Sequence, residues 1–166
     1  MRAIVVYYSF EGNVRMLAHN IVQAVNAELL ELQDLDEPQS KGLMKFVQGG
    51  AKAWRGQKTQ LAPFDAKALA AAEVIFIGTP VWAFTCAPAV RTFLDDYKLS
   101  GKKLAFFCAS GGSKGKTFEV MRGLAGPDNT VLGEIEFIEP LKREPEQGAE
   151  RVRLWAASMM KKAQAD

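Results

Sequence analysis

The sequence predicts an α/β fold, a single domain spanning residues 1–166 with a doubly wound, five-stranded parallel sheet in the order 2-1-3-4-5 and helices on both faces. Three observations predict it. Strand-like and helix-like patterns alternate along the whole chain. The runs at 3–8, 74–78 and 104–108 are apolar almost without interruption, as strands covered on both faces must be. The runs near 29–33 and 131–137 are half polar and suit the two edges, and right-handed crossovers then set the order.

Each element has its own signal. After the strand at 3–8 and a polar turn, Val14, Leu17, Ala18, Ile21, Val22 and Val25 fall on one helical face. A second strand is expected at 28–33, and Pro38 and Ser40 mark a loop. Leu43, Phe46, Val47, Gly50 and Trp54 repeat at helical spacing and predict a helix with that apolar face. Residues 57–63 read as a polar connection, and 66–72 as a short helix. The buried strand at 74–78 leads into an aromatic-rich loop at 79–85. Pro88 suits a helix start, with Val90, Phe93, Leu94 and Tyr97 facing the core. The strand at 104–108 is followed by a glycine-rich loop and a helix at 116–124. Val131, Gly133, Ile135 and Phe137 alternate with polar residues as an edge strand does. Val152, Trp155, Ala156, Met159 and Ala163 form the buried face of the last helix.

Composition narrows the function. A hydrophobic content of 48%, a charged content of 24% and a net charge of +2 are those of an ordinary globular protein. Nothing argues for nucleic acid, and no apolar run approaches the ~20 residues needed to cross a bilayer. The N-terminal run lacks a cleavage region, so it reads as a strand. Cys86 and Cys108 cannot form a disulfide framework and fit a reducing cytoplasm. His19 stands alone and no Cys/His cluster exists, so no metal site and no catalytic residue is assigned.

In such a sheet the ligand sits outside the carboxyl ends of the strands, where the strand order reverses. Three unusual loops follow the central strands and converge there. In the first, Ser9, Phe10, Glu11, Gly12, Asn13 and Val14 join a buried strand to a helix. A helix N-terminus binds anions, because its first N–H groups lack partners and the macrodipole is positive there. Ser9 adds a hydroxyl and Gly12 permits close approach. The second loop carries Thr79, Pro80, Val81, Trp82, Ala83 and Phe84, and the third Ala109, Ser110, Gly111, Gly112, Lys114 and Gly115. The run Ser110 to Thr117 also approaches a P-loop, but misses its first glycine and lacks an Asp-ended strand to hold magnesium.

With these residues the chain resembles the flavodoxin family over essentially its whole length. The family's phosphate turn, Ser/Thr-x-Thr-Gly-x-Thr, reads here Ser9-Phe10-Glu11-Gly12-Asn13-Val14, and Gly78-Thr79-Pro80-Val81-Trp82 looks like the loop beside the isoalloxazine ring. The resemblance implies FMN as cofactor: phosphate on Ser9 and the N–H groups of 10–14, ring between loops 79–85 and 109–115. Trp82 is expected to stack on it. Glu11 and Val14 replace two hydroxyl residues of the family pattern, and Arg15 offers a compensating cation. No aromatic stands in the third loop, where electron carriers of the family place one. Three functions follow: an electron carrier with a redox partner protein, an NAD(P)H-dependent quinone or flavin reductase, or a related domain that has lost its flavin. A monomer or a homodimer is expected.

Overall fold

The apolar run after Met1 and Arg2 becomes β1 (Ala3–Tyr7), with every residue buried. The computed structural model describes residues 1–37 and 43–165, without the side chains of 43–46. The expected features at Pro38 and Ser40, and the side chains of Leu43 and Phe46, lie outside the described residues. In chain order there follow α1 (Asn13–Val25), β2 (Glu28–Glu31), α2 (Leu43–Trp54), α3 (Lys67–Ala71), β3 (Val74–Trp82) and β4 (Thr85–Cys86). The remainder is α4 (Pro88–Asp96), β5 (Lys103–Ser110), α5 (Thr117–Ala125), β6 (Thr130–Ile138), α6 (Pro140–Arg143) and α7 (Pro145–Ala165).

The sheet runs β2-β1-β3-β5-β6 with parallel neighbours throughout, and the added strand β4 pairs antiparallel with the end of β3. The five long strands keep the expected order; the two-residue β4 was not foreseen. Alternation along the central strands divides the core into two layers. Ile4, Val6, Ile75, Ile77, Leu104 and Phe106 meet Val90, Phe93 and Leu94 of α4 and Phe118 and Met121 of α5. Val5, Tyr7, Phe76, Ala105 and Phe107 meet Leu17 and Ile21 of α1 and Val152, Ala156 and Met159 of α7. Each large apolar side chain so buried stabilises the fold by about 1.5–3 kcal/mol. The sheet is thereby fixed as a rigid frame, and the loops at its carboxyl end inherit that rigidity.

Several expectations need correction. The strand expected to stop at residue 78 continues to Trp82. Thr79 and Pro80 pair with Cys108 and Ala109, and Val81 and Trp82 pair with Cys86 and Thr85. Pro80 is tolerated because β1 has already ended beside it, leaving that side of the strand an edge. The helix α2 forms, but with another side inward: Val47 and Trp54 are 62% and 77% exposed, while Gly49 and Ala53 are buried. The reason is steric. The ring of Trp82 fills the space beneath α2, and a Cβ on Gly49 would lie only 3.0 Å from it, so only small residues fit there.

Candidate functional site

The first loop is shaped by its backbone. Gly12 is the N-cap of α1 at φ 94°, a left-handed conformation that costs a glycine nothing. The chain turns there so that the amino end of α1 faces the crevice. Ser9 is buried, and its Oγ accepts the N–H of Arg15 at 3.1 Å. No protein acceptor among the described residues takes the N–H groups of Gly12, Asn13 or Val14. Glu11 is exposed at the rim of the loop. Arg15 does not turn toward the loop; it pairs with Glu31 of β2, which raises its pKa further.

The second loop is a tight hairpin. Trp82 and Thr85 pair across it, and its two central residues, Ala83 and Phe84, have φ of 48° and 62°. Two left-handed central residues make a type I′ turn, which is usually supplied by Asn and Gly. Here the neighbours impose it. The N–H of Lys116 donates to the Phe84 carbonyl at 2.8 Å. Gly115, at φ 52°, lies so close that a Cβ would fall 2.4 Å from that of Phe84. Thr79 Oγ1 donates to the Pro80 carbonyl at 2.9 Å and accepts the Ala87 N–H at 3.0 Å. Trp82 stands edge-on to Tyr8 and Phe10, with ring centroids 5.7 and 5.6 Å away. The Tyr8 hydroxyl donates to Glu37 at 2.7 Å, and burial, then that carboxylate, pushes its pKa up. Trp82 is thus the centre of an aromatic wall that holds the hairpin upright.

The third loop starts where β5 ends. Ser110 Oγ donates to Glu136 at 2.7 Å, while residues 111–116 are exposed. A fourth segment, unforeseen in the sequence, completes the site. After β6, Glu139 enters the left-handed region (φ 42°), its N–H donates to the Ser110 carbonyl at 3.0 Å, and α6 follows. The N–H of Leu141 donates to Asn13 Oδ1 at 3.1 Å, tying α6 to the start of α1. Arg143 first, then Lys142, holds the Glu139 carboxyl below the usual carboxylate range.

These segments enclose a cavity of about 500 Å³ at the carboxyl ends of β1, β3 and β5. Ser9, Phe10 and Glu11 line it from the first loop with Asn13 and Val14 at the start of α1, Pro80, Val81 and Trp82 from the end of β3, and Ala109 and Ser110 from the end of β5 with Gly111 just beyond. The strand expected to stop at 108 thus runs two residues further. Gly12 shapes the turn without lining it. Thr79 lies beneath the hairpin, and Ala83, Phe84, Gly112, Lys114 and Gly115 stand outside the lining. Glu139, Leu141 and Lys142 join it from the fourth segment. The signal for that segment was Pro140, placed to start a helix directly after a strand. A larger cleft of about 640 Å³ runs along the outer side of β6 and α7, from Glu134 to Arg151. It lies away from the carboxyl ends of β1 and β3, so the smaller cavity is the candidate site. Cys86 and Cys108 are buried, and burial raises both thiol pKa values, which makes them poor nucleophiles.

A parallel sheet in this order defines the doubly wound α/β class, whose ligand crevice lies outside the carboxyl ends of the strands at the switch point. Residues 2–127 match the model of the flavodoxin family, and the chain belongs to that family. Among curated proteins none matches the sequence. Solved structures share its fold at low identity. A provisionally assigned flavoprotein from Bacteroides eggerthii DSM 20697 is 20% identical, with a TM-score of 0.73 over 96% of this chain and 98% of its own. A flavoprotein from Lactobacillus acidophilus NCFM, crystallised in complex with FMN, is 22% identical, with a TM-score of 0.66 over 87% and 99%. A flavodoxin, WrbA-like protein from Agrobacterium tumefaciens is 18% identical, with a TM-score of 0.64 over 99% and 98%. Among the described residues no helix is long and apolar enough to cross a membrane.

Proposed function

We propose that this chain is a redox protein that binds one FMN non-covalently and passes electrons through it. The observation that carries the reading is the cavity at the switch point, lined by the start of α1 and by the carboxyl ends of β3 and β5. The residues fit the group. The N–H groups of Gly12, Asn13 and Val14, with the buried hydroxyl of Ser9, meet a phosphate. Pro80, Val81 and Trp82 on one side, and Ala109, Ser110 and Gly111 on the other, border a slot for a flat ring.

The bound flavin would supply the electron chemistry, and the chain would position it. Pro80 and Val81 would exclude water from one ring face, while Tyr8 and Phe10 keep Trp82 from collapsing into the slot. Residues 111–116 are exposed and contain no aromatic, so that loop would leave the other face open. This favours, as a second reading, an NAD(P)H-dependent reductase whose second substrate, a quinone or a flavin, stacks on that face. The first test is titration of the apoprotein with FMN, where saturable one-to-one quenching of flavin fluorescence is expected. Absence of quenching at micromolar protein excludes the cofactor. Oxidation of NADPH by the loaded protein with a quinone then separates reductase from carrier.

A further inference from the structure

The flavin phosphate brings two negative charges into a cavity that already carries two carboxylates, Glu11 and Glu139. The pattern Ser9 to Val14 lacks two of the hydroxyls that the family's phosphate turn would offer, and Arg15 is committed to Glu31. Among the described residues that line the cavity, Lys142 alone is cationic. We propose that Lys142 is the cation for the cofactor's phosphate monoester and compensates in this chain for the missing hydroxyl donors. This rests on the FMN reading above.

Three observations support it. First, the backbone beside Lys142 is fixed against the cradle. Leu141 is tied through its N–H to Asn13 Oδ1, and its Cδ1 lies 3.4 Å from where a Cβ of Gly12 would be. A lysine one residue on needs only its own side chain to reach the space before the α1 N–H groups. Secondly, Glu139 has another partner. Arg143 Nε donates to it at 3.2 Å, whereas Lys142 Nζ stands 3.5 Å away, too long for a strong hydrogen bond. An arriving phosphate therefore draws Lys142 away without stranding a carboxylate. Thirdly, the Lys142 side chain is 78% exposed, so it is free to swing. The same exposure limits the gain, because solvent screens an exposed ion pair.

The test compares FMN with riboflavin, which lacks only the phosphate, on the full chain. Lys142→Ala should weaken FMN about fivefold, the upper end for an exposed pair. Riboflavin affinity should not move. Lys142→Arg should restore FMN, and Lys142→Glu should weaken it more than the alanine variant. The fivefold difference should shrink below about pH 6, where the phosphate takes up its second proton. Unchanged FMN affinity in Lys142→Ala overturns the proposal. So does an equal loss for both flavins, since that would mean Lys142 only shapes the cavity. A wild-type chain that binds neither flavin defeats the cofactor reading itself. One that binds both equally leaves the ring slot standing but removes the phosphate cradle, and Lys142 with it.

Discussion

Two turns at the mouth of the site solve one backbone problem in different ways. At Gly12 the chain needs a left-handed residue and has a glycine. At Ala83 and Phe84 it needs two in succession and has neither glycine nor asparagine. Left-handed backbone in residues with a Cβ costs on the order of 1–3 kcal/mol each. The first turn is therefore intrinsically content, whereas the second is held by its surroundings: Lys116, Gly115 and the aromatic wall around Trp82. A turn that suits its own residues keeps its shape when a ligand leaves. One that is clamped from outside depends on every clamp.

The contrast breaks most readily at Gly115. An alanine there meets the Phe84 backbone and must itself adopt φ 52°, so stability should fall by about 3 kcal/mol, from overpacking and backbone strain together. Urea unfolding with an unchanged m-value would measure it, and a loss below about 1 kcal/mol would show that the hairpin is not clamped. On the other side of the comparison, Gly12→Val should damage FMN binding more than Ser9→Ala. The latter is expected to weaken it roughly 10- to 100-fold, the range for a buried hydrogen bond to a charged group. Calorimetry giving the reverse order would mean that the hydroxyl, not the backbone, carries the phosphate. A sharper probe is Phe84→Gly, which relieves one strained residue while keeping the turn. Stability should rise by about 1 kcal/mol, and a fall would falsify the claim that the hairpin is strained. The smallest effect expected is from Glu11→Thr, which removes an exposed charge and restores a hydroxyl. FMN affinity should rise by roughly threefold at low salt and less at high salt, as screening requires. Weaker binding would count against the cradle.

The frame of this protein was legible because its signals are local and strong. Buried parallel strands are apolar on both faces, so 3–8, 74–78 and 104–108 could be placed centrally and the edges assigned by elimination. Gly12 was legible for a similar reason: one residue type matches one backbone need. The hairpin at 82–85 was not, because Ala-Phe carries no turn signal and its shape comes from residues 31–33 positions further along the chain. The phase of α2 was missed because periodicity marks an apolar face but not whether space exists for it. Gly49 and Ala53 won the inner side by being small beneath Trp82. Lys142 escaped notice because one lysine after an edge strand looks like any surface lysine until Asn13 is seen holding its neighbour.

That hydrogen bond between Asn13 and Leu141 spans 128 positions, and the cavity draws on stretches near residues 10, 81, 110 and 141. Such a site has no early fragment. While a ribosome is still making the chain, the cradle at 9–14 already exists as sequence, but its far wall does not. On the FMN reading, cofactor capture would be a late event, coming after β6 has joined the sheet edge and α6 has been released from the exit tunnel. FMN would accordingly reward only the finished architecture, and its free concentration in the cell would set how long a newly folded molecule remains empty.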